Sequence, residues 1–260
     1  MQPPMAEILE RMEIADERRS MAMPAISGMG ESPKPREWTP APVESDASHA
    51  ATTGHKVWPA AQRLVSFLEK SRGEWIPKKH GGTRILELGA GTGFLGLTIA
   101  LNTSPKEVSR MTMTERQEGM ELLERNVATF PKLQNVVHTC VCDWNAGCAS
   151  DIIGETWDLV IGSDLVYEKE SLSLIQVWKT LLTTGRASPR ILYCHTKRRY
   201  EDLDYIFFDE IEANGLTCVE VFADGEEVHK PPSPPPYSEA FPETRIAIYF
   251  ISLKDKTEDI

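Results

Sequence analysis

Residues Arg84 to Gly96 read R-I-L-E-L-G-A-G-T-G-F-L-G, and this stretch decides the fold. Ile85, Leu86 and Leu88 form a short apolar run of the kind a buried strand shows. Gly89, Gly91 and Gly93 follow at alternate positions, and Phe94 to Leu101 then reads as helical. The pattern predicts a strand, a tight glycine turn and a helix start. Glycines let the chain turn sharply and let a ligand approach the peptide groups. The new helix aims free N–H groups at whatever sits on the turn.

Glu87 sets the chemistry of that turn. A dinucleotide fold uses G-x-G-x-x-G, with a pyrophosphate over the helix N-terminus. Here the turn is Gly89, Ala90, Gly91, Thr92 and Gly93, with a carboxylate two residues before the first glycine. An anion there repels phosphate and suits a ligand carrying an ammonium or sulfonium group. The competing readings are a nicotinamide-binding turn and a glycine turn without a ligand. E-x-G-x-G-x-G resembles the first motif of the seven-strand S-adenosylmethionine (AdoMet) methyltransferases.

At 260 residues the chain can hold one α/β domain with a full core plus extensions. Its net charge of −11 argues against general affinity for nucleic acid or anionic membrane. Five cysteines without a C-x-x-C pair argue against a disulfide framework or a zinc site, and no metal is expected. Cys140 and Cys142 alternate in a predicted strand and read as buried thiols on one face. There is no signal-peptide pattern and no apolar run of spanning length. The expected location is the cytoplasm, with the nucleus as a second compartment.

Residues 1–50 hold seven of the 18 prolines and six of the nine methionines. Ala6 to Arg19 has the spacing of a charged helix. The Pro/Ser/Ala/Glu-rich remainder buries too little apolar surface to fold alone and reads as a disordered or loosely docked extension. The domain is expected over 51–254, with a proline-rich insertion at 229–242 and a charged tail at 255–260. Trp58 precedes a helix that starts at Pro59, either as a lid on the core or as a ligand contact.

Strands and helices then alternate. Val108 to Thr114 reads as a strand ending at Glu115, which lies 22 residues beyond Gly93. An acid at that distance accepts ribose hydroxyls in nucleotide folds. Asn135 to Val141 is a third strand, followed by Asp143 and Trp144. Asp143 can accept from an adenine amino group, and the indole can cover the base. A solvated turn acid and a core tryptophan are the alternative. Trp157 to Ser163 is a nearly continuous apolar run, as a central parallel strand shows. It ends in Asp164-Leu165-Val166-Tyr167, so Asp164 and Tyr167 fall where α/β sheets bind ligands. Asp164 could also cap the next helix. Leu216 to Phe222 and Arg245 to Leu253 read as a hairpin around the proline-rich loop.

G-x-x-V-W ahead of the first helix, E-L-G-A-G-T-G, the acid after the second strand, D-W and S-D-L-V-Y occur here in one order. Together they resemble the family-16 methyltransferases, the methyltransferase-like 21 group of non-histone protein lysine methyltransferases. The resemblance covers about residues 52 to 253. It implies a Rossmann-like seven-stranded α/β sheet of order 3-2-1-4-5-7-6 with one antiparallel strand. It also implies AdoMet as cofactor, S-adenosylhomocysteine as product, and a protein lysine as acceptor in a chaperone, translation factor or ATPase. Trp58, Gly89, Ala90, Gly91, Glu115, Trp144 and Ser163 carry over as cofactor contacts, and Asp164 and Tyr167 as the site beside the acceptor amine. A monomer that binds neither nucleic acid nor membrane is expected. A small-molecule methyltransferase and a non-catalytic AdoMet-binding protein are the alternatives.

Overall fold

The alternation of apolar runs and amphipathic stretches builds a three-layer sandwich around one seven-stranded sheet. The computed structural model describes residues 37–46, 53–146, 150–184, 188–197, 202–222 and 245–254. All of them belong to a packed unit that begins at Arg36. The candidate helix at Ala6 to Arg19, the insertion at 229–242 and the tail at 255–260 lie outside the described residues.

The strands are β1 (Thr83–Leu88), β2 (Val108–Glu115), β3 (Val137–Val141), β4 (Leu159–Ser163), β5 (Arg190–Lys197), β6 (Leu216–Glu220) and β7 (Arg245–Leu253). The helices are α1 (Pro59–Trp75), α2 (Phe94–Asn102), α3 (Met120–Ala128), the short α4 (Ser150–Ile153), α5 (Leu174–Thr184) and α6 (Asp202–Ala213). The sheet order is β3-β2-β1-β4-β5-β7-β6, as the resemblance implies. β7 runs antiparallel to both β5 and β6, and the other pairings are parallel.

Side-chain alternation along β1 divides the core. Ile85 packs with α1, α2 and α3 on one face, whereas Leu86 and Leu88 pack with α5 and α6 on the other. The strand order reverses between β1 and β4, and the carboxyl ends of these two strands open onto one crevice. 3-10 turns at Gln117–Gly119 and Lys169–Ser173 lead into the helices after β2 and β4.

Within the extension expected to be disordered or loosely docked, residues 37–46 lie extended across α2 and α3. Trp38 and Ala41 are buried in the core there. Side-chain amides supply the backbone partners that this proline-rich segment cannot supply to itself. Asn102 accepts from the Thr39 N–H at 2.9 Å and donates to the Thr39 carbonyl at 2.8 Å. Asn126 does the same for Glu44, at 2.9 and 3.1 Å. Thr98 accepts from the Ala41 N–H at 3.0 Å. One sequence expectation is corrected: Cys140 and Cys142 share a face, but they are not two buried thiols. Cys140 is free and only half-buried, near the sheet edge, and Cys142 is buried and disulfide-bonded.

The Asn126 amide also donates to the Thr92 carbonyl at 2.9 Å, so one buried side chain ties the extended segment to the glycine turn. Asn126→Ala removes all three bonds, among them the one to the buried Thr92 carbonyl. The expected loss is about 1–3 kcal/mol in urea unfolding. An unchanged midpoint would show that the segment is not held this way.

Candidate active site

The glycine turn forms the floor of a cleft of about 860 Å³, its open mouth included. Trp58, Glu87, Gly89, Ala90, Gly91, Thr92, Glu115, Asp143, Trp144, Ser163, Asp164 and Tyr167 all line it. They come from five places in the chain and meet because β1, β2, β3 and β4 end side by side. Gly93 is the exception. It begins α2 and packs against Leu123 instead of facing the cleft.

Gly89 has a φ of 61°, in the left-handed region. A Cβ at this position would lie 2.5 Å from Leu165 Cδ2 and 3.3 Å from the Trp144 ring. The turn is therefore held between the tryptophan after β3 and the leucine after β4. Gly96, one turn into α2, meets a different neighbour. A Cβ there would collide with Glu87 Oε2 and Met113 Sδ. The glycine makes room for the carboxyl beneath it.

Glu87 is 2% exposed, on the face of β1 that it shares with Ile85. The Gly96 N–H donates to it, and Oε2 has no partner. Burial pushes its pKa up to about 8, against the pull of the Gly96 amide. Glu115 accepts from the Gly91 N–H at 2.7 Å and the Arg116 N–H at 2.9 Å. Burial raises its pKa as well, and those two amides offset part of the rise. Asp143 accepts from the Asn145 N–H at 2.9 Å. The Trp144 indole N–H is buried without a partner. Trp58 lies under the Lys56 ammonium, 4.0 Å from the ring centroid.

Asp164 sits in the left-handed region with φ 50°. Both of its carboxylate oxygens point to the end of β5. Oδ1 accepts from the Thr196 N–H at 2.7 Å and Oδ2 from the Thr196 hydroxyl at 2.8 Å. These bonds orient the side chain. Each carboxylate oxygen offers more than one acceptor position. Thr196 supports the site and Lys56 lines it, and sequence reading passed over both, whereas Gly54, which also lines the cleft, opens the G-x-x-V-W motif. The order 4-5 of the central strands was the available signal for Thr196, since it places the end of β5 beside Asp164.

These residues fit AdoMet. Glu87 is an incompletely partnered carboxyl that lines the cleft, which suits a cationic group. Glu115 retains acceptor capacity for hydroxyls beside the turn. The Trp144 ring and its unpaired N–H suit a purine. The same burial has a measurable cost without ligand. The folded state holds the Glu87 proton up to about pH 8, whereas the unfolded chain releases it near the ordinary value of 4.5. Stability referred to Glu87 therefore falls as pH rises through that window and levels above it. The melting temperature of the wild type is expected to fall relative to Glu87→Gln between those pH values. Parallel curves would contradict a buried, proton-holding carboxyl.

Comparison with known proteins places this cleft in a family. A family model described as lysine methyltransferase matches residues 42–214. Protein-lysine N-methyltransferase EFM6 of Saccharomyces cerevisiae is 31% identical over 62% of this chain and 70% of its own. Protein N-lysine methyltransferase METTL21A of Danio rerio is 33% identical over 56% of this chain and 65% of its own. EEF1A lysine methyltransferase 3 of Xenopus tropicalis is 26% identical over 60% and 62%. The alignments thus span between three fifths and seven tenths of these relatives. The matched region runs from the extended segment at α2 and α3 to the end of α6 and includes every residue of the cleft. The chain belongs to the lysine methyltransferase family.

Proposed function

We propose that the protein transfers a methyl group from AdoMet to the ε-amine of a lysine in a non-histone protein. The observation that carries this reading is the division of the cleft into two chemistries. Glu87, the glycine turn, Glu115 and Trp144 form one half, suited to a cationic adenosine compound. Asp164 and Tyr167 form the other half, where an acceptor would enter. The family and the protein-lysine relatives support a polypeptide acceptor.

When bound, AdoMet would supply a methyl carbon activated by sulfonium, with S-adenosylhomocysteine as the leaving group. The chain's own residues would do the rest by holding and desolvating. Glu87 would pair with a cationic group and Glu115 with ribose hydroxyls, while Trp144 and Asp143 would flank the base. Trp58, Ala90, Thr92 and Ser163 would complete the walls.

The acceptor lysine must lose a proton. From a pKa of about 10.4 that costs roughly 4–5 kcal/mol at neutral pH. A site poor in water, close to a positive charge, lowers this cost. Asp164, held by Thr196, would accept hydrogen bonds from the amine and fix the direction of its lone pair. Tyr167 would wall the channel with its ring. Most of the acceleration then comes from positioning. A strong general base is not required.

The test is transfer of labelled methyl from AdoMet into proteins of a cell extract, resolved on a gel and acid-hydrolysed. A discrete band yielding methyl-lysine is expected. Asp164→Asn, which tolerates the left-handed backbone, should lower the rate by about 100-fold or more and leave AdoMet affinity within a few-fold. Measurable AdoMet binding without any protein label would overturn the protein-lysine reading.

A further inference from the structure

Beneath the Asp164–Tyr167 loop lies a chain of buried polar groups to which the reaction as described gives no role. Tyr193 and His195 lie on β5, on the same face, and are 0% and 1% exposed. Asp204 lies on α6 and is also buried. The Tyr193 hydroxyl oxygen accepts two backbone N–H groups, those of Leu165 and Val166, each at 3.2 Å. It lies 3.1 Å from His195 Nδ1. His195 Nε2 lies 2.9 Å from Asp204 Oδ1. Trp178 and Phe207 pack on the Tyr193 ring, at 5.2 and 5.6 Å between centroids, and exclude water from the chain.

The direction of each bond follows from counting. A phenol oxygen has two acceptor positions and one proton. The two amides fill the acceptor positions. The proton must then go to His195 Nδ1, which is therefore unprotonated. His195 is the neutral tautomer with its proton on Nε2, donated to Asp204. Burial and the nearby Asp164 charge raise the Tyr193 pKa well above its ordinary value, so the hydroxyl keeps the proton that this arrangement needs. Every donor in the chain is used.

The D-L-V-Y loop consequently hangs from β5 at two points. Thr196 holds the carboxylate of Asp164, and Tyr193 holds the next two amides. The Asp164 N–H adds a third tie, to the Cys194 carbonyl at 2.9 Å. Between them these bonds fix a left-handed residue in a loop that has no regular structure of its own. We infer that Tyr193 and His195 are positioning residues for methyl transfer. Tyr193 sets the path of the loop between Asp164 and Tyr167, and His195, held by Asp204, orients the Tyr193 hydroxyl. This rests on the proposed methyltransferase function only for the rate. The clamp itself is a statement about the loop.

Tyr193→Phe keeps the ring and removes the acceptor of two amides. Hydrogen exchange read by mass spectrometry on the peptide spanning 163–168 should speed up at least tenfold, with peptides from β1 and β2 unchanged. Labelled methyl transfer into the extract band should fall by about tenfold to a hundredfold, with AdoMet affinity within twofold. A second pair guards against loss of folding. His195→Asn keeps an acceptor for the tyrosine proton, and His195→Leu does not. The Asn variant should retain several-fold more activity than the Leu variant at a temperature where both are folded. Faster exchange with an unchanged rate would overturn the positioning role. Unchanged exchange would overturn the clamp. A wild type that labels no protein would count against the proposed function instead, and the exchange result alone would then judge the clamp.

Discussion

A carboxyl group in the middle of an apolar sheet face is the constraint around which this structure is arranged. Glu87 occupies a position where the alternation of β1 calls for a core residue. Keeping a carboxyl there is unfavourable unless it stays protonated or meets a cation. The surroundings accommodate it in detail. Gly96 clears space and donates its amide, and Met113 supplies a soft neighbour. Glu87 lines the cleft, and its Oε2 is buried without a partner. Such a group costs stability in the free protein and gains a partner when a cationic ligand arrives. That exchange of stability for binding is common where a site is built into a core.

The remaining walls of the cleft are held from a distance. The glycine turn is braced on one side by Trp144 and Leu165 and on the other by Asn126, which reaches Thr92 from α3. The same asparagine binds Glu44 in the extended segment. The chain ahead of the first helix is therefore wired to the cofactor half of the cleft. The acceptor half is wired to β5 and α6 through Thr196, Tyr193, His195 and Asp204. Each half of the cleft is thus supported by an element remote from it in sequence. Rigid support of this kind matters for a reaction in which placement of the amine provides most of the acceleration.

Much of this was legible in the chain because the signals were local. The run Ile85 to Gly93 encodes a strand and turn within nine residues, and Glu87 and Glu115 stand at fixed offsets from it. The apolar run before Asp164 pointed to a central strand, and the family resemblance implied the order of the sheet. Support was not legible, since it depends on which distant side chains meet. Asn126 and Tyr193 look like ordinary members of an amphipathic helix and a buried strand. Their roles appear only once α3 lies over the turn and β5 lies beside β4. At residues 37–46 the proline-rich composition carries no sign of what holds the segment. Trp38, Ala41 and the two asparagine amides make that segment part of the domain. Gly93 belongs to the motif, but what it packs against, Leu123, shows only in the fold.

The measurement closest to the centre of this account is calorimetric titration of AdoMet into the wild type and Glu87→Gln at pH about 8, where the free carboxyl is half-ionised. Saturable binding at one site per chain is expected for the wild type, weakened about tenfold or more in the variant. Equal affinity in the two proteins would mean that the buried carboxylate does not receive the cation.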